Sequence, residues 1–323
     1  MKAYVYGANG AAITDVSKPA PKGTQVLVRV RACGLNRADL GMTKGHVHGS
    51  AGGAGTVLGM EWAGEIAEVG PEAKGVNVGD KVMGSGTAAF AEYTLADHGR
   101  LFRTPSNMNF EEAATLPVAL ATMHNAVVTN GLLQRGQAVL IQGASSGVGL
   151  MALQIAKLKG AKLVIGSSTD ATRRARLKEF GADLAVDSSD PGWVDQVLKA
   201  TGGEGVDLIV DQVSGKVAKQ NLAATKVKGR IVNVGRLGGT HADFNFDLHA
   251  ARRIHYIGVT FRTRSIEEIR EIFSEVRKDI WPAVESRKLQ LPIDKVFAFD
   301  EIGKAFEHME ANRHLGKIVV TLS

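Results

Sequence analysis

The sequence has little that could crosslink the chain or anchor it. Its single cysteine, Cys33, excludes an internal disulfide and a cysteine-rich zinc site. No apolar run reaches the roughly 18 residues that a membrane-spanning helix requires. The first residues also lack the charged start, apolar centre and cleavage site of a signal peptide. We therefore expect a protein of a reducing, cytoplasmic compartment with no membrane partner.

Aromatic residues make up only 6% of the chain, and its charge bias is weak. The 39 Lys and Arg residues are scattered among 33 Asp and Glu residues, for a formal net charge of +6. No basic block is interleaved with aromatic residues, which argues against a nucleic-acid partner. The 323 residues, 44% of them hydrophobic, suggest a soluble protein of about two domains.

The first part of the chain, up to about residue 118, shows short strand patterns separated by turn residues. Apolar and polar residues alternate in Val26–Arg31, as a half-buried strand requires. Three further strands are predicted at Trp62–Val69, Lys81–Met83 and Phe90–Leu95. The stretch Gly49–Gly55 is too rich in glycine for a helix or strand and is predicted to be a loop.

From about residue 119 the pattern changes to apolar strands that alternate with longer helical segments, which indicates a parallel sheet. Six strands are predicted, at Ala138–Gln142, Lys162–Gly166, Leu184–Asp187, Val206–Asp211, Arg230–Gly235 and Ile254–Val259. After residue 260 an amphipathic helix (Ile266–Ile280) and a last strand (Lys317–Leu322) follow. We therefore predict an α/β protein in which a doubly wound Rossmann domain, 119–260, is inserted into a β-rich domain formed by 1–118 and 261–323.

The strongest chemical signal is a glycine turn after the first of these six strands. Val139–Gln142 is followed by Gly143 and then by a helical segment, Leu150–Lys159. The free N–H groups at the start of such a helix suit a pyrophosphate, although an ordinary glycine turn remains the alternative. The residues predicted to hold it are Ala144, Ser145, Ser146, Gly147, Val148 and Gly149.

The end of the second of these strands indicates which dinucleotide binds. NAD-binding domains usually place an acid there, whereas this chain has Ser167 and Ser168, followed by Arg173 and Arg174. Hydroxyl and guanidinium groups would bind a 2′-phosphate that an acid would repel. We therefore predict NADPH as the cofactor. One of the two arginines could instead belong to the solvated face of a helix.

Several ordered motifs resemble the medium-chain dehydrogenase/reductase superfamily, and more closely its zinc-independent quinone oxidoreductase branch, which includes enone and enoyl reductases. The motifs are Cys33–Asp39 (CGLNRAD), Gly59–Glu65 (GMEWAGE), Val78–Val82 (VGDKV) and Gly143–Gly149 (GASSGVG). The resemblance extends over essentially the full length, to Gly316–Val320. It implies a GroES-like substrate domain for the β-rich part, a Rossmann domain, and a cleft between them.

The glycine turn is also similar to that of the short-chain dehydrogenases. In this chain, however, the turn lies in the middle of the sequence. None of the four tyrosines, Tyr4, Tyr6, Tyr93 and Tyr256, is followed by a lysine four residues later. The tyrosine and lysine of that group's proton relay are therefore absent.

The resemblance also bears on metal binding. Zinc-dependent relatives have a cysteine at the position of Asn36, a histidine at that of Met60 and a third ligand near Val118. An amide and two apolar side chains cannot hold Zn²⁺ tetrahedrally, even with Glu61 retained. No metal site is therefore predicted.

By resemblance, the chain reduces quinones or the C=C bond of α,β-unsaturated carbonyl compounds, using hydride from NADPH. Asn36 would donate a hydrogen bond to the substrate carbonyl or the nicotinamide ribose region, and Thr122 would contact the nicotinamide. Further cofactor contacts are expected from Val213, Gly235, Arg236 and Leu237, at the carboxyl ends of later strands. The tyrosine acid of many enone-reducing relatives is missing near Leu40–Met42, so the proton would come from water or from His124.

Two other functions remain open from the sequence. One is an alcohol or ketone dehydrogenase with an unusual zinc arrangement, and the other is a protein that binds NADPH without turnover. The expected partner is a small hydrophobic enone or quinone. A homodimer is also expected, because relatives are commonly dimers and the strand Ile254–Val259 could extend a sheet across two subunits.

Overall fold

The chain forms most of one unit, enters a second at Thr122 and returns to the first at Phe261. The computed structural model describes all residues, 1–323. We call Met1–Ala121 with Phe261–Ser323 the β-rich unit, and Thr122–Thr260 the parallel-sheet unit. The first boundary lies three residues after the one predicted from the sequence, and the second coincides with it.

The strands of the first segment are β1 (Lys2–Gly7), β2 (Gly10–Asp15), β3 (Gln25–Gly34), β4 (Val47–His48), β5 (Ala51–Gly52), β6 (Thr56–Val57), β7 (Glu61–Val69), β8 (Lys81–Ser85), β9 (Tyr93–Asp97) and β10 (Leu101–Arg103). The parallel-sheet unit contributes β11 (Ala138–Gln142), β12 (Leu163–Ser167), β13 (Leu184–Val186), β14 (Val206–Asp211), β15 (Thr225–Asn233) and β16 (His255–Gly258). The last segment adds β17 (Ile293–Ala298) and β18 (Lys317–Thr321).

The α-helices are α1 (Arg37–Met42), α2 (Phe110–Ala113), α3 (Pro117–His124), α4 (Gly147–Leu158), α5 (Ala171–Arg176), α6 (Trp193–Ala200), α7 (Ala218–Ala224), α8 (Phe246–Arg252), α9 (Ile266–Asp279), α10 (Trp281–Glu285) and α11 (Ile302–Glu310). Short 3₁₀ helices lie at His98–Arg100, Leu177–Phe180 and Phe299–Glu301, and a π-helical segment follows α3 at Asn125–Asn130. The predicted helix Ile266–Ile280 corresponds to α9.

In the β-rich unit, a seven-stranded sheet has the order β10-β8-β7-β3-β18-β17, and β9 also pairs with β3. The last strand, β18, runs antiparallel to β3 with Val320 opposite Cys33. This pairing places Lys317, at the start of β18, beside the chain that leaves β3, where the Leu35 N–H donates to the Ile318 carbonyl at 3.0 Å. Residues from opposite ends of the sequence thus become neighbours.

Two sequence predictions in the β-rich unit differ from the structure. The stretch Gly49–Gly55 is not entirely loop, because Ala51–Gly52 forms β5 and pairs with β4. The strand predicted at Phe90–Leu95 begins only at Tyr93. Phe90 instead exchanges backbone hydrogen bonds with Tyr4 and Leu58, which holds it outside the β9 ladder.

The parallel-sheet unit contains six parallel strands in the order β13-β12-β11-β14-β15-β16. Numbered within the unit, this is the order 3-2-1-4-5-6 of a doubly wound dinucleotide-binding sheet, which confirms the predicted Rossmann fold. The strand order reverses between β11 and β14, and ligands of such sheets bind at the carboxyl ends of the strands at that point. Residues Ala138–Gln142 are all buried, as a strand covered on both faces requires.

Candidate active site

The glycine turn lies at the carboxyl end of β11 and leads directly into α4. Gly143 has a positive φ of 71°. The Ser146 hydroxyl caps α4 by accepting a hydrogen bond from the Gly149 N–H at 3.1 Å. A Cβ at Gly149 would lie 2.6 Å from the Gly143 carbonyl oxygen, so only glycine lets the helix approach the turn this closely.

This turn fits the pyrophosphate of a dinucleotide. The helix it starts has 12 residues, so its positive end is well developed. The N–H groups of Gly147 and Val148 lie in the first helical turn, where no intrahelical acceptor exists. Backbone donors at this position bind anionic oxygens.

The two serines at the end of β12 face different surroundings. Ser167 is fully buried, where its hydroxyl accepts from the Gly143 N–H at 3.0 Å and donates to Gln142 Oε1 at 2.6 Å. Ser168 lies next to the glycine turn, and its hydroxyl donates to Ser145 Oγ at 3.1 Å. Ser167 therefore stabilises the glycine turn through a buried hydrogen bond to its first residue, whereas Ser168 contacts the turn through Ser145.

The two arginines predicted near the cofactor lie on α5 and are held differently. Arg174 Nη1 donates to the Ser168 carbonyl at 2.8 Å and to Asp187 Oδ2 at 2.9 Å. The Arg173 side chain is only 14% exposed, and its Nε lies 3.7 Å from Asp170 Oδ1. The link to Ser168 ties Arg174 to the carboxyl end of β12.

A buried chain of hydrogen bonds, which we call the amide relay, runs beneath these loops. Gln142 Nε2 donates to Asn221 Oδ1 at 2.9 Å, and Asn221 Nδ2 donates to Asp211 Oδ2 at 3.0 Å. Gln142, Asn221 and Asp211 are all fully buried. Through the Ser167 hydroxyl the relay extends to the Gly143 N–H, so it joins the ends of β12, β11 and β14.

At its other end the relay holds the loop after β14. Asp211 Oδ1 accepts the N–H groups of Val213 at 2.8 Å and Ser214 at 2.9 Å. Burial raises the pKa of Asp211, and these two backbone hydrogen bonds together with the Asn221 amide oppose that rise. Sequence reasoning missed the relay, although polar residues that end apolar strands, Gln142 and Asp211, were a visible signal.

The remaining predicted cofactor residues lie on loops at the same edge of the sheet. The Ser214 hydroxyl donates to the Gly235 carbonyl at 2.6 Å, which links the loops after β14 and β15. Leu237 is 55% exposed, and its N–H donates to the Gln212 carbonyl at 3.1 Å. Arg236 Nη1 donates to the nearby Val234 carbonyl at 3.2 Å. The parallel-sheet unit thus brings its predicted cofactor residues together around one edge.

Asn36 lies in the β-rich unit, within a buried polar cluster that the sequence did not reveal. Its Nδ2 donates to Glu61 Oε1 at 3.0 Å, and its Oδ1 accepts from Lys317 Nζ at 3.0 Å. Lys317 and Glu61 form an ion pair, and their side chains are 4% and 0% exposed. Because an ammonium can only donate, Lys317 fixes which way the Asn36 amide faces.

The backbone completes this cluster. The Val118 N–H donates to the second Glu61 oxygen at 3.0 Å. Burial raises the pKa of Glu61, whereas the Lys317 charge and the hydrogen bonds from Lys317, Val118 and Asn36 oppose that rise. The Glu61 carboxylate is thus fully engaged by protein groups.

Asp39 is a second buried carboxyl near Asn36. Its Oδ2 accepts the Asn36 N–H at 2.7 Å, while its Oδ1 is buried without a hydrogen-bond partner. Burial raises the pKa of Asp39 to about 7, against the lowering effects of that hydrogen bond and of the Lys317 charge. Asp39 therefore titrates near neutrality and prefers to keep a proton in its buried position.

The cluster does not suit a catalytic zinc ion. Of the positions that carry ligands in zinc-dependent relatives, Asn36 offers an amide bound to Glu61 and Lys317, and Val118 contributes only its backbone. No group of three or more His, Cys, Asp or Glu side chains has an arrangement that could hold a metal ion. The donor set is therefore wrong for Zn²⁺, which takes cysteine, histidine and carboxylate ligands.

The other residues singled out from the sequence are placed as follows. Thr122 is half-buried in α3, as the first residue of the parallel-sheet unit, while Asn36 belongs to the β-rich unit. His124, at the end of the same helix, is 2% exposed. Cys33 is fully buried and its thiol donates to the Ala89 carbonyl at 2.9 Å. Met42 and Trp62 belong to the apolar core of the β-rich unit.

Two family models match the chain. Residues 22–106 match the alcohol dehydrogenase GroES-like domain, and residues 147–278 match a family described as zinc-binding dehydrogenase. The first range lies in the β-rich unit, and most of the second lies in the parallel-sheet unit.

Named relatives are similar over almost the whole chain. A phenolphthiocerol/phthiocerol polyketide synthase polypeptide of Mycobacterium tuberculosis is 30% identical over 312 residues, or 96% of this chain, yet the chain spans only 14% of that protein. The human quinone oxidoreductase is 27% identical over 312 residues, covering 96% of this chain and 92% of the human protein. The crystal structure of the CurK enoyl reductase superposes with a TM-score of 0.87 at 25% identity, covering 100% of this chain and 99% of CurK.

None of the helices has both the length and the apolar character needed to cross a membrane.

Proposed function

Because the chain belongs to the medium-chain dehydrogenase/reductase superfamily, in its quinone oxidoreductase-like branch, we propose that it is an NADPH-dependent, zinc-free reductase. Its acceptors would be quinones or the C=C bond of hydrophobic α,β-unsaturated carbonyl compounds. Similarity to the dehydrogenase family model, the human quinone oxidoreductase and the CurK enoyl reductase supports an oxidoreductase with a Rossmann unit of the NAD(P)-binding type. The observation that carries the finer proposal is the Lys317–Glu61–Asn36 cluster, because it engages Asn36, a position at which the resemblance implies a zinc ligand in zinc-dependent relatives.

The choice of NADPH rests on the end of β12. Ser168 and Thr169 follow this strand directly, and the nearest carboxylate after it, Asp170, is engaged in capping α5, on which the arginines lie. Hydroxyl and guanidinium donors favour a 2′-phosphate. Replacing Arg173 or Arg174 by glutamine should therefore weaken NADPH binding by at least about tenfold, since a charge-assisted hydrogen bond contributes roughly 1.5–3 kcal/mol. NADH binding should change little.

Arg176 provides the matched control for this experiment. It lies on the same helix and pairs with Glu179 at the surface. Fluorescence titration with both cofactors should show that R176Q behaves as the wild type does. If R173Q and R174Q each leave the ratio of NADPH to NADH affinity unchanged, the assignment of NADPH is wrong.

The chemistry needs few groups from the protein. When bound, NADPH supplies the hydride. Reduction of an enone or quinone moves negative charge onto an oxygen, which hydrogen-bond donors can stabilise. The second N–H of Asn36 has only a long contact, 3.4 Å, to the Gly34 carbonyl. We infer that this N–H donates to the acceptor's oxygen, with the amide oriented by Lys317.

The test is NADPH oxidation with a panel of enones and quinones by protein that has been exhaustively chelated and analysed for metals. We expect turnover without zinc and a lower kcat/KM in N36A. Activity with alcohols or ketones that requires added zinc would favour the dehydrogenase alternative. Tight NADPH binding without reduction of any acceptor would favour a protein that binds the cofactor without catalysis.

We also propose a homodimer formed through β16. This strand is the edge of the six-stranded sheet, so its outer backbone groups are available for pairing. Tyr256 on this strand and Phe246 on α8 are 37% and 75% exposed. The Val259 N–H donates to the Asn233 carbonyl of β15, so the alternation along the strand points the Tyr256 N–H toward the free edge. Analytical ultracentrifugation should give a dimer for the wild type and a monomer for Y256P, since proline removes that outward donor. A wild-type monomer would refute this assembly.

A further inference from the structure

Arg100 is a half-buried cation whose hydrogen-bonding needs are not met. It ends the 3₁₀ helix His98–Arg100 in the β-rich unit. Its Nε is buried and has no hydrogen-bond partner. Burial lowers the pKa of its guanidinium, an effect that the charge of Asp97 opposes. Burying a charged donor without a partner is costly, so this position favours a bound anion.

The carboxylate of Asp97 does not meet this need, because other groups already occupy it. Its oxygens accept hydrogen bonds from Arg270 Nε at 2.9 Å and Nη2 at 2.6 Å. They also accept from the Thr24 hydroxyl at 2.8 Å and the Gly99 N–H at 2.9 Å. Burial opposes ionisation of Asp97, but these hydrogen bonds lower its pKa to about 2. Arg270 is thus the ion-pair partner of Asp97, and the buried Nε of Arg100 is left without a hydrogen bond.

Arg100 and Asp97 line a cavity of about 330 Å³ in the β-rich unit. This volume is at the lower end of the range for small-molecule sites. Its wall includes Ser85 and Thr87, whose hydroxyls can donate to an anionic oxygen, and the apolar Leu95 and Ile266. The cavity therefore combines a positive charge, neutral donors and apolar surface.

We propose that this cavity binds a small organic anion through its carboxylate or phosphate group. Arg100 is the ion-pair partner, and the hydroxyls of Ser85 and Thr87 are additional donors. The apolar wall contacts the carbon part of the ligand. Ser85 lies opposite Glu61 in the β7–β8 ladder, and Glu61 binds Asn36, so the site is close to the buried polar cluster. Anion binding here does not depend on the proposed reaction.

The test measures thermal unfolding and calorimetric binding with sodium succinate and, separately, with inorganic phosphate. Sodium chloride keeps the ionic strength constant. An anion that binds the folded state raises the Tm, and the rise grows with the anion concentration relative to its dissociation constant. The wild type should respond to at least one anion, and the stronger response identifies the carboxylate or the phosphate as the preferred group. No response to either anion beyond that of chloride would overturn the proposal.

Variants locate the site. R100M should raise the dissociation constant at least about tenfold, as expected for the loss of charge-assisted hydrogen bonds. Without ligand, the Tm of R100M should equal or exceed that of the wild type, because the unpartnered guanidinium is gone. A purely structural role for Arg100 would lower this Tm. R313M removes an exposed arginine of the same unit and should keep the anion response.

A footprint on the wild-type protein covers the case in which R100M folds poorly. Phenylglyoxal modifies accessible guanidinium groups, and mass spectrometry gives the extent of modification at each arginine. The bound anion should decrease modification at Arg100 while Arg313 remains reactive. Equal modification of Arg100 with and without the anion, or an undiminished anion response in R100M, would overturn the assignment.

Discussion

Lys317 and Glu61 form a buried ion pair that determines the charges and hydrogen bonds around Asn36. Both side chains are almost completely removed from water, and each satisfies the other together with Asn36. Desolvating two charges is expensive, so such a pair contributes little net stability, yet the loss of one partner leaves an uncompensated charge. The ammonium of Lys317 thus provides the positive charge that balances Glu61.

Replacing Lys317 with methionine should destabilise the protein by about 3–5 kcal/mol, because Glu61 would remain buried without its counter-charge. The double variant K317M/E61Q should recover much of this loss, since the glutamine is neutral. Urea denaturation of the two single variants, the double variant and the wild type gives the coupling free energy. Additive effects of the two substitutions would show that the pair does not interact as described.

Asp39 should make stability depend on pH. Its pKa is about 7 in the folded chain, against about 3.9 when unfolded. Between these pH values the folded state holds a proton on Asp39 that the unfolded state has released. The contribution of Asp39 to the free energy of unfolding therefore falls as pH rises and is constant above about pH 7. From pH 5 to pH 8, the wild type should lose about 2–3 kcal/mol relative to D39N.

Urea denaturation of the two proteins at several pH values checks this expectation. Asparagine keeps an oxygen that can accept the Asn36 N–H, so D39N preserves the start of α1. The difference in unfolding free energy between D39N and the wild type should therefore change with pH as the Asp39 carboxyl of the wild type loses its proton. Parallel pH profiles would mean that Asp39 titrates at its ordinary value.

Among the elements, the glycine turn and α4 depend most strictly on backbone geometry. Gly149 packs its backbone against Gly143 and Ala144, so an alanine Cβ would force the helix away from the turn. G149A should destabilise the protein by about 1–3 kcal/mol. It should also weaken NADPH binding, since the first-turn N–H groups would move.

Gly303 supplies the control for this substitution. It lies in α11, and a Cβ there would meet no atom within 4 Å. G303A should be neutral or stabilise the protein by up to about 1 kcal/mol, because alanine loses less entropy than glycine in a helix. Fluorescence titration and urea denaturation measure both effects. Unchanged NADPH affinity in G149A would show that the turn does not hold the cofactor.

The amide relay should couple the two loops on either side of the point where the strand order reverses. N221L removes the acceptor for Gln142 and one donor to Asp211 while roughly preserving side-chain volume. Leaving buried polar groups unsatisfied costs about 1–3 kcal/mol each, so we expect a clear loss of stability. NADPH affinity, measured well below the unfolding transition, should also fall. Unchanged affinity would show that the relay has only a structural role.

The elements that the sequence predicted well are those with a strong local pattern. The bounds of β11 and β14 are as predicted, because buried parallel strands are continuous apolar runs with polar ends. The hairpin β4–β5 was missed because its glycines carry no periodic signal. Lys317 was missed for another reason: its partner Glu61 lies 256 residues away, and only the pairing of β18 with β3 brings them together.

For the whole molecule, the chain order of its parts explains the architecture. The last segment returns to the first unit to supply β17, β18 and Lys317, so the β-rich unit is incomplete until the end of the chain is present. The strand order of the inserted unit could be inferred from the alternating pattern of strands and helices. The anion cavity could not, since Thr24, Ser85, Arg100 and Ile266 share no motif.

The most direct test of metal-free hydride transfer is the mass of the product formed from a simple enone and NADPH deuterated at the transferable C4 position. The protein would be depleted of zinc and checked for residual metal. We expect a saturated carbonyl product with one deuterium at its β-carbon, formed at the same rate with or without added chelator. Product without deuterium, or deuterium transfer that occurs only after zinc is restored, would show that the reaction proceeds differently.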